Sequence, residues 1–396
     1  MISTQPPYPK RPCPSSRTFA IMAKVVGSYC NLQCEYCYYT EKMRLLAQTP
    51  RQMQEDVLEV YIKENLRIHG EQAVVEFSWH GGEPLLAGID FFAKAMALEK
   101  KYGKGRKMIN TLQTNATLLN EAWCQFFAKH NFLLGVSIDG PKGLHDLYRK
   151  GTQTGSFDDV MAGIDLLQKH GIRFNALTTV NAANEGYPHE VYDFLRKLTD
   201  YIQFLPVVES NASFFESDEG QRFAMPPGIG SMCLQHTIAP FSVTPEGFGT
   251  FLTGVFDRWK ELDYGKKHVQ LFEVTLGNMR GIPSSLCVHN PLCGHAASVE
   301  VDGSIYSCDH YTFHPYMLGN ILETPLDEIM EKNRDFGMHK TYGLAKACFQ
   351  CAYIKLCFGG CPKDRVLISP NDQIGKNYLC DGYKYFFRHF MAHIND

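Results

Sequence analysis

Between residues 19 and 207 the chain alternates short apolar runs with amphipathic stretches, and this rhythm restricts the fold more than any other feature. Residues 19–26, 74–80, 107–113, 132–138, 173–180 and 201–207 read as strands, being short, apolar and bounded by turn residues. Between them, 51–69, 91–101, 120–129, 157–170 and 187–198 read as helices; in the first, Val57, Val60, Tyr61 and Leu66 stand among charges. Strands separated by helices predict an α/β fold with a parallel sheet, whose carboxyl strand ends carry the ligand groups. Residues 246–262 add a helix with Phe248, Phe251, Leu252, Val255, Phe256 and Trp259 on or near one face, a pattern that builds core. The rest of 208–285 has a loop at Pro226-Pro227-Gly228 and carries no readable chemistry.

With 396 residues, 44% of them hydrophobic, the chain can bury a sizeable core. Its formal net charge is −3 and it has no long basic run, so a nucleic-acid surface is not expected. Residues 1–18 hold Pro6, Pro7, Pro9, Pro12 and Pro14 without the apolar stretch of a signal peptide, and no later run approaches the ~20 apolar residues of a membrane span. A cytoplasmic protein with no membrane partner is expected. In a reducing compartment the 14 cysteines point to metal rather than disulfides. Three lie at 30–37 and eight between 287 and 380; Cys13, Cys124 and Cys233 read as ordinary thiols.

The first group is Cys30-Asn31-Leu32-Gln33-Cys34-Glu35-Tyr36-Cys37-Tyr38-Tyr39, which follows the first strand directly. Three thiolates on one short loop can hold three irons of a 4Fe-4S cluster and leave the fourth without a protein ligand. A structural zinc site, the bland alternative, wants four ligands, and no histidine is near. With Tyr36 ahead of its last cysteine, the loop resembles the signature of the radical S-adenosylmethionine (SAM) enzymes. The resemblance implies that SAM chelates the open iron and is cleaved there to a 5'-deoxyadenosyl radical. It also implies a partial, TIM-like (β/α)6 barrel instead of a closed eightfold one.

One β/α unit further, Gly81-Gly82-Glu83-Pro84 closes a strand; alone it reads as a turn before a helix. In this position it resembles the family segment that contacts the SAM amino group. Val136-Ser137-Ile138-Asp139-Gly140-Pro141 likewise reads as a strand and turn, followed by a helix start that leads to Arg149. By the resemblance Tyr36, Gly81, Gly82, Glu83, Ser137, Arg149 and Ile202 would bind SAM, an arginine fork suiting its carboxylate.

The second group runs Cys287-x5-Cys293-x14-Cys308, Cys348-x2-Cys351-x5-Cys357-x3-Cys361 and Cys380. Eight thiols suffice for two fully ligated 4Fe-4S clusters or for two zinc ribbons, and spacing does not choose between them. After a radical SAM loop the pattern resembles the SPASM extension. That implies Cys287, Cys293, Cys308 and Cys361 for one auxiliary cluster and Cys348, Cys351, Cys357 and Cys380 for the other, making three clusters in all. The expected layout is a Pro-rich segment at 1–18, a radical SAM barrel at 19–208, a connecting region at 209–285 and a SPASM extension at 286–396.

The run from Ser298 to Tyr311 alternates like a hairpin with Asp302-Gly303 at its turn, which would present Cys308 and Asp309 at a strand end. With Tyr38-Tyr39 and Leu318-Gly319-Asn320-Ile321, it is similar to the anaerobic sulfatase-maturating enzymes. The similarity implies oxidation of a cysteine or serine in the Cys/Ser-x-Pro-x-Arg segment of an unfolded or nascent sulfatase to Cα-formylglycine. Asp309 would accept the thiol or hydroxyl proton and Tyr39 would line the substrate channel. A low-potential donor such as flavodoxin or ferredoxin would supply electrons, and the auxiliary clusters would receive or relay one. Rival expectations are another SPASM peptide maturase forming thioether or carbon–carbon crosslinks, or a non-catalytic zinc adaptor in which Asp309 is a surface turn carboxylate.

Overall fold

The computed structural model describes residues 20–46, 49–72, 74–151, 154–211, 237–369 and 372–395. The six expected strands form at Ala20–Lys24 (β1), Val74–His80 (β2), Lys107–Thr114 (β3), Leu133–Ser137 (β4), Phe174–Val180 (β5) and Tyr201–Pro206 (β6). They lie side by side in sequence order and are all parallel, as right-handed strand–helix–strand units require. The sheet does not close. Its β1 edge is extended by Ala296–Val299, parallel to β1, and then by the antiparallel strands Ser304–Tyr306 and Met317–Asn320. At the other edge β6 pairs with the two-residue strand His268–Val269.

Local sequence explains the layers. In β2 the alternation buries Val75, Phe77 and Trp79 on one face, while helix Glu55–Ile68 turns Val57, Leu58, Tyr61, Ile62 and Leu66 onto them. Tyr61 meets Trp79 edge-on at 5.8 Å, and each such fully buried large side chain contributes roughly 1.5–3 kcal/mol. Helix Glu121–His130 begins where the Asn120 side chain accepts from Trp123 N and stops at Asn131, whose φ of 53° is left-handed. Cys124 on that helix is buried in the core.

Helix Pro245–Asp263, started by Thr244 accepting from Gly247 N at 2.9 Å, carries the expected aromatic face, and all six residues are buried. That face packs against helix Cys380–His393, with Phe256 and Phe390 rings 4.8 Å apart. The approach is close because both helices offer glycine: a Cβ on Gly382 would lie 2.0 Å from Pro245 O. This contact fixes Cys380, the first residue of its helix, against the barrel. Helix Lys142–Tyr148 forms where a helix start was read, whereas helices Tyr39–Leu45, Gln270–Met279 and Leu326–Tyr342 were not foreseen. The Pro-rich start, Cys13, Cys233 and the Pro226-Pro227-Gly228 loop lie outside the described residues.

Candidate active site

The cysteine loop leaves the carboxyl end of β1 and is held by backbone bonds from Gln33 N to Lys150 O (2.8 Å), Glu35 N to Tyr148 O (3.0 Å) and Cys37 N to Cys34 O (3.1 Å). Gly82 explains its own identity here. Its N–H donates to Gly27 O at 2.8 Å, and a Cβ would sit 2.0 Å from Tyr29 O, so the glycine lets the loop backbone pass. Burial pushes the Cys30 thiol up to about 11 and that of Cys34 up to about 12, and raises Cys37 as well. Each of Cys30 and Cys34 is pushed further by the charge of Cys37, which places the three thiols within electrostatic reach of one another.

Glu83 is fully buried, with its carboxylate accepting from Thr114 Oγ1 (2.8 Å), Asn115 N (2.7 Å) and Leu85 N (3.0 Å). Its side chain thus braces the β2 and β3 ends, and what this segment can offer a ligand is its backbone. Burial raises Glu83 to about 7. Ser137 ends β4 and is buried. Arg149 and Tyr36 meet over Asp139: Arg149 Nε lies 2.9 Å from Asp139 Oδ2, the Tyr36 hydroxyl donates to the same oxygen, and Thr179 N donates to Oδ1 at 2.9 Å. The Nε–Oδ2 approach is an ion pair without hydrogen-bond alignment. Arg149 Nη2 reaches Thr179 Oγ1 at 3.3 Å, and the guanidinium stands 5.5 Å from the Tyr36 ring centroid.

Ile202 is placed differently from these residues. It is the second residue of β6, sealed in the core, at the amino end of a strand whose ligand-bearing end is Pro206. Four residues at about 3.3 Å each separate the two ends.

Asp309, from the turn after Ser304–Tyr306, is brought to the front loop. It accepts from the Tyr38 hydroxyl at 2.7 Å and lies 3.6 Å from Lys24 Nζ. Burial works against its charge, yet His310, Lys24, Lys42 and the Tyr38 hydrogen bond together hold it well below the usual carboxylate range. It is therefore an ionised, part-buried carboxylate and not a surface turn residue. Lys42 Nζ stands 4.5 Å over the rings of both Tyr38 and Tyr39 and has no hydrogen-bond partner among the described residues, and burial takes it down to about 8. Glu300, both of whose oxygens are without a hydrogen-bond partner among the described residues, is raised to about 7 by burial. The sequence reading missed Asp139, Lys24, Lys42 and Glu300. For Lys24 and Glu300 the signal was a charged residue inside a strand or hairpin that burial must reach, because such residues are rarely buried without a partner; Lys42, on helix Tyr39–Leu45, and Asp139, in the turn after β4, carried no such signal.

The interleaved rear cysteines separate in space. Burial raises Cys287, Cys293, Cys308 and Cys361, and like charge couples Cys287 with Cys293, Cys308 with Cys287 and Cys361, and Cys361 with Cys293. A second group forms where Cys357 feels Cys348, Cys380 and Cys351, around a cleft that all four line. Among the described residues, no three His, Cys, Asp or Glu converge closely enough to share a single metal ion. Thiols gathered at longer range and pushed up by burial and mutual charge fit a cationic polynuclear cluster, which would offset that charge.

Residues 25–195 match the radical SAM superfamily and residues 293–352 an iron-sulfur cluster-binding domain. Fold and thiols together define a radical SAM enzyme with an iron-sulfur extension. The chain is 42% identical over 388 residues to a serine-type anaerobic sulfatase-maturating enzyme of Bacteroides thetaiotaomicron, covering 96% of this chain and 92% of that one. A cysteine-type counterpart from Clostridium perfringens is 31% identical, covering 93% and 95%. The solved structure of native anSMEcpe with bound AdoMet and Cp18Cys peptide superposes with a TM-score of 0.80 at 30% identity, covering 95% and 98%. This chain belongs to the anaerobic sulfatase-maturating enzymes.

Proposed function

We propose that the chain oxidises a serine in the Ser-x-Pro-x-Arg segment of a sulfatase to Cα-formylglycine, and accepts the cysteine version of that segment too. The observation that carries this reading is the meeting of Asp309 with Tyr38 and Lys24 beside the cysteine loop. Serine is placed first because the serine-type relative is 42% identical and the cysteine-type one 31%. Cys30, Cys34 and Cys37 would hold one cluster, while Tyr36, Ser137, Arg149 and the Gly81-Gly82 backbone would hold SAM. When bound, cluster and SAM supply the one-electron chemistry that takes a hydrogen atom from the target Cβ.

The remaining steps fall to the chain's own groups. Asp309, already ionised, accepts the proton of the target hydroxyl or thiol, and Tyr38 fixes which oxygen is free to do so. Tyr39 lines the channel beside it. Asp139 holds Arg149 by its Nε edge, leaving the guanidinium's other face for a carboxylate. The two rear groups would hold two more clusters, about twelve irons per chain in all. A flavodoxin or ferredoxin is the proposed electron source, and the cytoplasm the proposed location. Among the described residues no helix is long and apolar enough to cross a membrane.

The deciding test is anaerobic turnover of iron-loaded protein with SAM and paired Ser- and Cys-containing peptides, read by mass spectrometry. Loss of two hydrogens from the serine peptide is expected. A crosslinked product, or no change in either peptide, would overturn the reading.

A further inference from the structure

Two cations are buried among the rear cysteines. Lys340, near the end of helix Leu326–Tyr342, is fully buried, and its Nζ donates to the carbonyls of Cys287 (2.6 Å), Val288 (3.1 Å) and Asn290 (2.6 Å). These use all three donors of an ammonium, and none goes to a carboxylate. Arg365, also buried, donates to Lys340 O at 2.8 Å, Gly343 O at 2.6 Å and Gly359 O at 3.2 Å. The charge of Lys340 reaches Cys287, Cys293 and Cys361 of the first group. That of Arg365 reaches Cys293 and Cys361 but also Cys348 of the second. Lys340 therefore serves one group, and Arg365 stands between both.

Burying an ammonium costs several kcal/mol unless opposite charge offsets it. A neutral amide has only two donors for these three carbonyls, so hydrogen bonding favours the ammonium, but neutral carbonyls do not by themselves offset the cost of burying its charge. Opposite charge does, if the nearby thiolates carry a cluster that gains a negative charge on reduction. A cation close by then favours the reduced state.

We propose that Lys340 and Arg365 are built-in counter-charges that raise the reduction potentials of the rear clusters, Lys340 acting on the first and Arg365 on both. The inference rests on the cluster reading given above. Each cluster takes one electron from a low-potential reductant, dithionite in the test and a reduced carrier protein in the cell.

The test is an anaerobic redox titration followed by electron paramagnetic resonance on the full chain with Cys30, Cys34 and Cys37 all changed to Ala, so that the front cluster gives no signal. This parent should hold about eight irons. A parent without them would defeat the cluster reading itself, before any variant is compared. In Lys340→Gln, which keeps two donors and loses the charge, one couple should shift downward while the other stays. At a fixed potential its reduced-to-oxidised ratio should fall at least tenfold, about 59 mV for a one-electron couple. Lys340→Met should match it. Arg365→Gln should lower both couples and Arg365→Lys should restore both. Full iron with an unmoved couple in Lys340→Gln would overturn the proposal. So would loss of the first group's iron from both Lys340 variants, which would make the lysine a structural clamp.

Discussion

Cys30, Cys34 and Cys37 fall within eight residues of one loop, whereas Cys287 and Cys293, Cys308, and Cys361 are drawn from three separate stretches and interleave with a second set. The front group is shaped by short-range backbone bonds and by one glycine, Gly82, against the loop. The rear group exists only once the hairpin, the helix Leu326–Tyr342 and the loop before Cys361 have packed together. Cys293, for example, is placed by its N–H bond to Gly337 O at 3.3 Å. A local site should therefore fail through a local change, and an assembled one through a packing change far away in sequence.

The sharpest way to break this contrast is Gly82→Ala. The added Cβ would meet the Tyr29 carbonyl at 2.0 Å, which nothing flexible relieves. About four irons should be lost and the rear eight kept, with peptide oxidation abolished. Iron analysis with product assay checks both. Next in size is Asp309→Asn, which bridges the two regions: iron content and SAM cleavage should survive while aldehyde formation falls about 10²- to 10⁴-fold. Activity within twofold of the wild type would remove Asp309 from the reaction.

The rear counterpart of the glycine test is Gly337→Ala, whose Cβ would press the Cys293 carbonyl at 2.4 Å. About four irons should be lost here as well, but with Cys30, Cys34 and Cys37 still loaded and SAM still bound. Equal losses from both regions would mean that the two sites assemble as one unit. A smaller effect is expected from Asp139→Asn. Asp139 pairs with Arg149 and takes the Tyr36 hydroxyl, so its neutral form should loosen the arginine and weaken SAM about tenfold, roughly 1.4 kcal/mol. Equilibrium dialysis of iron-loaded protein measures this without turnover, and unchanged affinity would show that Arg149 does not depend on it.

What could be read in advance follows the same division. The strand Val74–His80 and the hairpin turn at Asp302-Gly303, where Gly303 has a φ of 86°, were legible because their signals lie within a few residues. The two-residue strand His268–Val269 was not, since its only reason to exist is pairing with Tyr201 and Ile202. Asp309 was nominated by likeness to a family. Its neighbours Tyr38 and Lys24 stand more than 270 residues earlier, a proximity that no local pattern encodes. For Ile202, a strand's sequence shows that it is buried more clearly than which of its ends faces the site.

A stability change within the front half, away from both thiol regions, sharpens the contrast from the other side. Glu99 on helix Ile89–Tyr102 is 3% exposed and belongs to neither group; it accepts from Asn110 Nδ2 at 2.9 Å, and its second oxygen has no partner among the described residues. Burial raises it to about 7, above its ordinary value of 4.5. The folded state thus binds a proton that the unfolded chain releases between these values. The resulting stability is complete below pH 4.5 and is lost as pH rises through 7. Glu99→Gln stays neutral throughout, so it should unfold a few degrees above the wild type at pH 8 and at close to the same temperature at pH 4. The corresponding free energy is about 3 kcal/mol at most. Scanning calorimetry at a fixed rate reads the difference, and an advantage of equal size at both pH values would show that the carboxyl's ionisation is not its source. Iron content should match the wild type in both regions, since a stability change that spares the Gly82 and Gly337 contacts leaves each thiol group its own support.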